Sequence, residues 1–109
     1  MFDFLFGKKT KNKVQVLNPQ DFAAKLKERK GVLIDVRSPQ EFQAGHIKNA
    51  KNIDFRSPSF ASGFANIEKN KPVFLYCRSG MRSMLGGKKL AQMGYTEIYD
   101  LKGGYLNWH

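Results

Sequence analysis

Two short apolar runs decide most of what this chain can become. "VLIDV" (32–36) and the apolar part of "KPVFLYC" (71–77) lack the alternation of a half-exposed strand. Both are shorter than an ordinary helix, so they read as strands buried on both faces of a parallel sheet. Helical patterns precede and follow them. Alternating strands and helices predict an α/β fold, a mainly parallel sheet with helices on both faces and right-handed crossovers. In open sheets of this kind ligands gather beyond the carboxyl ends of strands. One such end carries the only cysteine of the chain, Cys77.

The flanking elements are signalled locally. "VQVL" (14–17) is a first strand. "NPQDFAAKLKERKG" is a helix with Asn18 as N-cap, Pro19 at its first position and Gly31 as its stop. Ser38 and Glu41 form a capping box around Pro39, which predicts a short helix ending at Gly45. "NAKNID" (49–54) holds a short strand centred on Ile53, and "PSFASGFANI" (58–67) is a weaker helix interrupted by Gly63. A helix over 82–95 ends at Gly94, "EIYDL" (97–101) is the last strand, and "GGYLNW" (103–108) turns into a short terminal helix.

The 109 residues suit one domain over 14–109, preceded by an arm over 1–13. The arm, "MFDFLFGKKTKNK", is apolar first and basic second, the reverse of a secretory signal. A single cysteine forms no internal disulfide, and His46 and His109 lie far apart without cysteine partners. A cytoplasmic chain with no metal, no cofactor and no transmembrane segment is therefore expected. Nineteen Lys and Arg against nine Asp and Glu give a net charge of +10, a field that concentrates anions. The lysines are scattered and no nucleic-acid module is visible, so no nucleic-acid partner is expected.

"CRSGMRS" (77–83) carries the sharpest chemical signal. A strand, a tight turn and a helix start aim several backbone N–H groups and the positive end of the helix at one point. Gly80 admits a close approach or a positive φ. Arg78 and Arg82 add permanent positive charge. A thiol there is expected to be ionised at neutral pH, and the same concavity suits a small oxyanion or an anionic sulfur. A phosphate-binding loop of the cysteine phosphatases needs Arg one residue later, at position 83, where this chain has Ser. The shorter ring fits a tetrahedral phosphate less well but encloses a single sulfur, so sulfur transfer is the favoured chemistry. A phosphatase, an arsenate reductase and a slow sulfur carrier acting with a protein partner are the alternatives.

Three stretches together resemble the single-domain rhodanese-like sulfurtransferases: "LIDVRSPQEFQAGHIKNAKNI" (33–53), "CRSGMRS" (77–83) and "LKGGYLNW" (101–108). The resemblance covers residues 14 to 108 and implies a five-stranded parallel sheet flanked by helices. It implies that Cys77 is catalytic and carries a persulfide. The backbone amides from Arg78 through Ser79, Gly80, Met81 and Arg82 to Ser83 would cradle that sulfur, with Arg78 and Arg82 attracting the donor. Thiosulfate or a similar anion is the implied donor, and cyanide or a thiol the acceptor.

Asp35 is read as an acceptor that fixes neighbouring loops, and Arg37 as its partner or that of Glu41. His46 is read as structural rather than as a proton shuttle. Tyr76 and Tyr105 are read as packing groups, Trp108 as closing the core, and Met81 and Met84 as lining the mouth. No long apolar edge or heptad is visible, and a monomer is expected.

Overall fold

The computed structural model describes residues 14–109; the predicted arm lies outside the described residues. Its elements, in chain order, are β1 (Val14–Leu17), α1 (Pro19–Arg29), β2 (Val32–Asp35), α2 (Pro39–Ala44), β3 (Lys51–Asn52), β4 (Val73–Tyr76), α3 (Met81–Gln92) and β5 (Ile98–Leu101). Single 3₁₀ turns occupy Ser62–Phe64 and Tyr105–Asn107. The five strands form one sheet in the order β1-β5-β4-β2-β3, and every pairing is parallel. Both fold expectations, the strand count and the parallel sheet, are met.

The continuous apolar runs are explained by the two faces of the sheet. Successive strand side chains point to opposite faces. Val73, Leu75 and Cys77 join one buried cluster with Leu90 of α3, Phe60 and Phe64. Phe74 and Tyr76 join the other, with Phe22 of α1 and, at its margin, Trp108. Complete burial of a residue such as Phe74 contributes about 1.5–3 kcal/mol. A polar residue at either parity needs a buried partner, as Asp35 has in Arg37, so the runs are otherwise apolar.

Local signals behave as chemistry dictates, with three differences. The Asn18 side chain accepts from the Asp21 amide at 2.8 Å, but the left-handed residue that ends α1 is Lys30, with φ 51° and ψ 46°. Gly31 is needed for space instead: a Cβ there would lie 2.5 Å from the Phe74 ring and 2.6 Å from the Pro72 carbonyl. The strand expected around Ile53 is a two-residue edge at Lys51–Asn52, where the Asn52 amide group donates to the carbonyls of Asp35 and Arg37. The expected helix over 58–67 reduces to one 3₁₀ turn. Ser57 and Ser59 bond each other, and Ser62 bonds the Ser59 carbonyl, offering the backbone an alternative to helix.

Candidate active site

β4 delivers Cys77 to the carboxyl edge of the sheet, where it is 1% exposed. The chain turns over Gly80 and enters α3. Gly80 has φ 119° and ψ −17°, a left-handed conformation that a side chain disfavours. Its amide donates to the Cys77 sulfur at 3.0 Å. Gly80 is also the N-cap of α3 and supplies no side-chain cap. The first helical bond is Met84 N–H to the Gly80 carbonyl at 3.0 Å. The amides of Met81, Arg82 and Ser83 therefore form a first turn without intrahelical acceptors, at the positive end of a 12-residue helix. A thiolate or a bound anion at this turn is the acceptor that such amides lack.

The closing segment after β5 holds the loop from outside. Tyr105 N–H donates to the Cys77 carbonyl at 2.8 Å, and Leu106 N–H donates to the Arg78 carbonyl at 3.1 Å. These bonds turn both carbonyls toward the terminal segment. At the far end of the loop the buried Ser83 hydroxyl donates to Asp100 Oδ1 at 2.6 Å and lies 3.3 Å from the Gly80 carbonyl. Beside the loop, Val16, Met81, Met84, Gly103 and Asp100 line a cavity of about 370 Å³. Met81, 65% exposed, and Met84 are the methionines on its wall.

The two loop arginines differ. Arg78 is exposed. Arg82 forms a two-point ion pair with Glu41 of α2, at 2.7 Å and 3.1 Å, so its charge is already matched while it ties α3 to α2. The hydrogen bond from Arg82, helped by the Ser38 amide and opposed by burial, holds the Glu41 carboxyl down at about 2. A lowered carboxyl contributes stability that is complete above its ordinary value and is lost as pH falls through the lowered one. Stability measured by denaturant unfolding is expected to fall between about pH 4.5 and about pH 2. Glu41→Gln is expected to flatten that limb; an unchanged slope would deny the pair its role.

Asp35 and Arg37 pair with each other beside the loop's frame. Asp35 is fully buried and accepts from Arg37 N, Nε and Nη2 at 2.7–3.0 Å. The same guanidinium donates to the Gly45 carbonyl at 2.7 Å and sits 4.5 Å from the centre of the Tyr105 ring. One buried ion pair thus joins the end of β2, the end of α2 and the terminal segment. His46 is stacked on Phe42 at 3.7 Å, with Nδ1 2.9 Å from the Phe42 carbonyl, a structural placement. Tyr76 packs against Tyr105, and its hydroxyl accepts from the Ile47 amide at 3.0 Å, a role beyond packing. Among the described residues no three His, Cys, Asp or Glu side chains are grouped as a metal site requires. No described helix is long and apolar enough to cross a membrane.

Asp100 is the member of this site that sequence reasoning missed. Its signal was present: "EIYDL" places a carboxylate at the same parity as Ile98 inside a buried strand. A buried polar group requires a partner, and Ser83 is that partner.

Comparison with known proteins decides the family. The rhodanese-like domain model matches residues 18–109. The chain belongs to the rhodanese-like domain family. It is 41% identical over 95 residues to YqhL of Bacillus subtilis, covering 87% of this chain and 72% of that protein. It is 31% identical over 86 residues to the thiosulfate sulfurtransferase GlpE of Vibrio cholerae, covering 79% of each. A rhodanese-like domain protein from Staphylococcus aureus superposes with a TM-score of 0.75 at 27% identity, over 87% of this chain and 91% of that one. The tRNA uridine(34) hydroxylase of aster yellows witches'-broom phytoplasma is 31% identical over 103 residues, but this chain spans 33% of its length. This rhodanese-like chain therefore has relatives named for sulfur transfer and others named for a different reaction.

Proposed function

We propose that this chain is a sulfurtransferase that carries a sulfane sulfur on Cys77. The Cys77 thiolate attacks the outer sulfur of an anionic donor such as thiosulfate. The donor's S–S bond breaks, sulfite leaves with the electron pair, and Cys77 holds an anionic persulfide. A thiophilic acceptor, cyanide or a thiolate, then attacks the outer sulfur, and the Cys77 thiolate is released. No second cysteine and no external redox partner is needed in this cycle.

The observation that carries the reading is the Gly80 amide on the Cys77 sulfur at the open end of α3. The cradle is built for a negative sulfur and stays useful when that sulfur grows by one atom. GlpE, similar over most of both chains, is named for this reaction. Arg78, next to Cys77 in the chain, supplies an exposed positive charge.

The test is the intact mass of the protein after brief incubation with thiosulfate and again after cyanide. The expected result is gain of one sulfur, removed by cyanide. No gain from thiosulfate, with gain from a persulfidated protein, would move the reading to a sulfur carrier that serves a protein partner. The net charge of +10 adds a kinetic expectation. The second-order rate with thiosulfate should fall several-fold as ionic strength rises past about 0.1 M, where the Debye length shrinks to about 10 Å. A rate independent of salt would remove steering from the account.

A further inference from the structure

We propose that Asp100 is a positioning residue for Cys77, acting through the Ser83 hydroxyl to latch the first turn of α3 onto β5. The proposal extends the reading of Cys77 as the sulfur nucleophile. Its basis is the way the loop is held at both ends by one strand and its continuation. At the start, the residues after β5 capture the carbonyls of Cys77 and Arg78. At the finish, Asp100 of β5 captures Ser83, the third residue of α3, at 2.6 Å. Between these anchors lie the sulfur and the Gly80 amide that donates to it. Without the latch, the first turn keeps the Arg82–Glu41 pair but loses its tie to β5, and the Gly80 amide loses its fixed direction toward the sulfur.

Asp100 is 3% exposed, on the wall of the cavity beside the loop. Burial raises its carboxyl to about 6, and the Ser83 hydrogen bond pulls the other way. Burying a carboxylate is costly unless it is hydrogen-bonded or paired, and the Ser83 hydroxyl is its bond here. A hydroxyl bound to an ionised acceptor is stronger and shorter than a neutral pair, which suits a latch. The charged side chain that shares the cavity wall with it is Lys102. The flanking strands β1 and β4 set Val16 and Leu75 in register with it and carry no charged side chain.

Because Cys77 is the only cysteine, alkylation by iodoacetamide reports on it alone and needs no sulfur donor. The rate is measured against pH in the full chain and in Ser83→Ala, Asp100→Ala and Asp100→Asn, each first checked for a native thermal transition. Ser83→Ala and Asp100→Ala are expected to alkylate about tenfold more slowly at pH 7. Asp100→Asn retains an oxygen that accepts the same hydroxyl and is expected to stay within about twofold of the unaltered chain. Combining Ser83→Ala with Asp100→Ala should cost no more than either alone, as for two residues acting through one bond. An unaltered rate in Ser83→Ala overturns the proposal. Equal loss in Asp100→Asn and Asp100→Ala also overturns it, since the charge would then be the agent. If Asp100→Ala does not fold, Ser83→Ala and Asp100→Asn still decide. A chain that never accepts sulfur would still give these rates, so failure of the latch and failure of the sulfurtransferase reading are separable.

Discussion

Cys77→Ser is expected to accept no sulfur at any thiosulfate concentration while remaining folded. The chemistry requires an atom that attacks sulfur, holds it in an S–S bond and later leaves with the electron pair. A hydroxyl is protonated at neutral pH and is a far poorer nucleophile and leaving group toward sulfur. The fold gives the substitution little else to disturb. Cys77 lies in an apolar cluster with Val36, Phe60 and Leu75, and serine is slightly smaller than the residue it replaces. The Gly80 amide that now donates to sulfur at 3.0 Å can donate to the hydroxyl oxygen. The loss is confined to one buried contact surface, on the order of 1 kcal/mol, or about 4–8 °C in melting temperature for a domain of this size. Mass spectrometry after thiosulfate and a thermal melt monitored by circular dichroism measure the two halves. Sulfur gained by the serine variant would place the cargo on another residue and end the persulfide account.

How far such a site can be read in advance depends on whether its signals are local. The buried strands were legible because sheet burial on both faces leaves no position where a polar side chain is free of cost. The capping box around Pro39 was legible because Ser38 and Glu41 sit within one turn and bond each other. Gly80 was legible because the chain must reverse between a strand and a helix in few residues. The double duty of Glu41 was hidden: its partner Arg82 is 41 residues away, and only the folded chain brings the two side chains together. The sequence reading therefore counted Arg82 as a free cation for the donor, whereas the fold has paired it. The segment over 58–67 was misread for a related reason. Its apolar residues Phe60 and Phe64 have helical spacing, but three serines nearby compete for the same backbone groups. Tertiary packing of the two phenylalanines needs only their positions, which a series of turns supplies.

Gly104→Ala is expected to be the most damaging small substitution outside the loop itself. Gly104 has φ 64° and ψ −160°, a backbone conformation open to glycine and strained for alanine. A Cβ there would stand 2.5 Å from the Arg78 carbonyl oxygen and 2.6 Å from the Cys77 carbonyl oxygen. Both obstacles are backbone, so no side chain can swing aside. Either the terminal segment retreats and gives up the bonds from Tyr105 and Leu106, or the loop moves and the Gly80 amide leaves the sulfur. Strain of about 1–3 kcal/mol and two backbone hydrogen bonds of about 0.5–1.5 kcal/mol each bring the cost to about 2–6 kcal/mol. A fall in melting temperature of more than about 10 °C follows. Sulfur loading should slow by about a hundredfold even in the folded fraction, since displacement of a reacting group by about 1 Å has that effect. Gly80→Ala is the informative comparison. It meets the same left-handed constraint, yet its nearest obstacle is 4.0 Å away, so strain alone acts and the loss of stability should be smaller. If Gly104→Ala melts with the unaltered chain, the terminal segment does not clamp the loop, and the order of these two variants is the measurement that separates close packing from backbone strain.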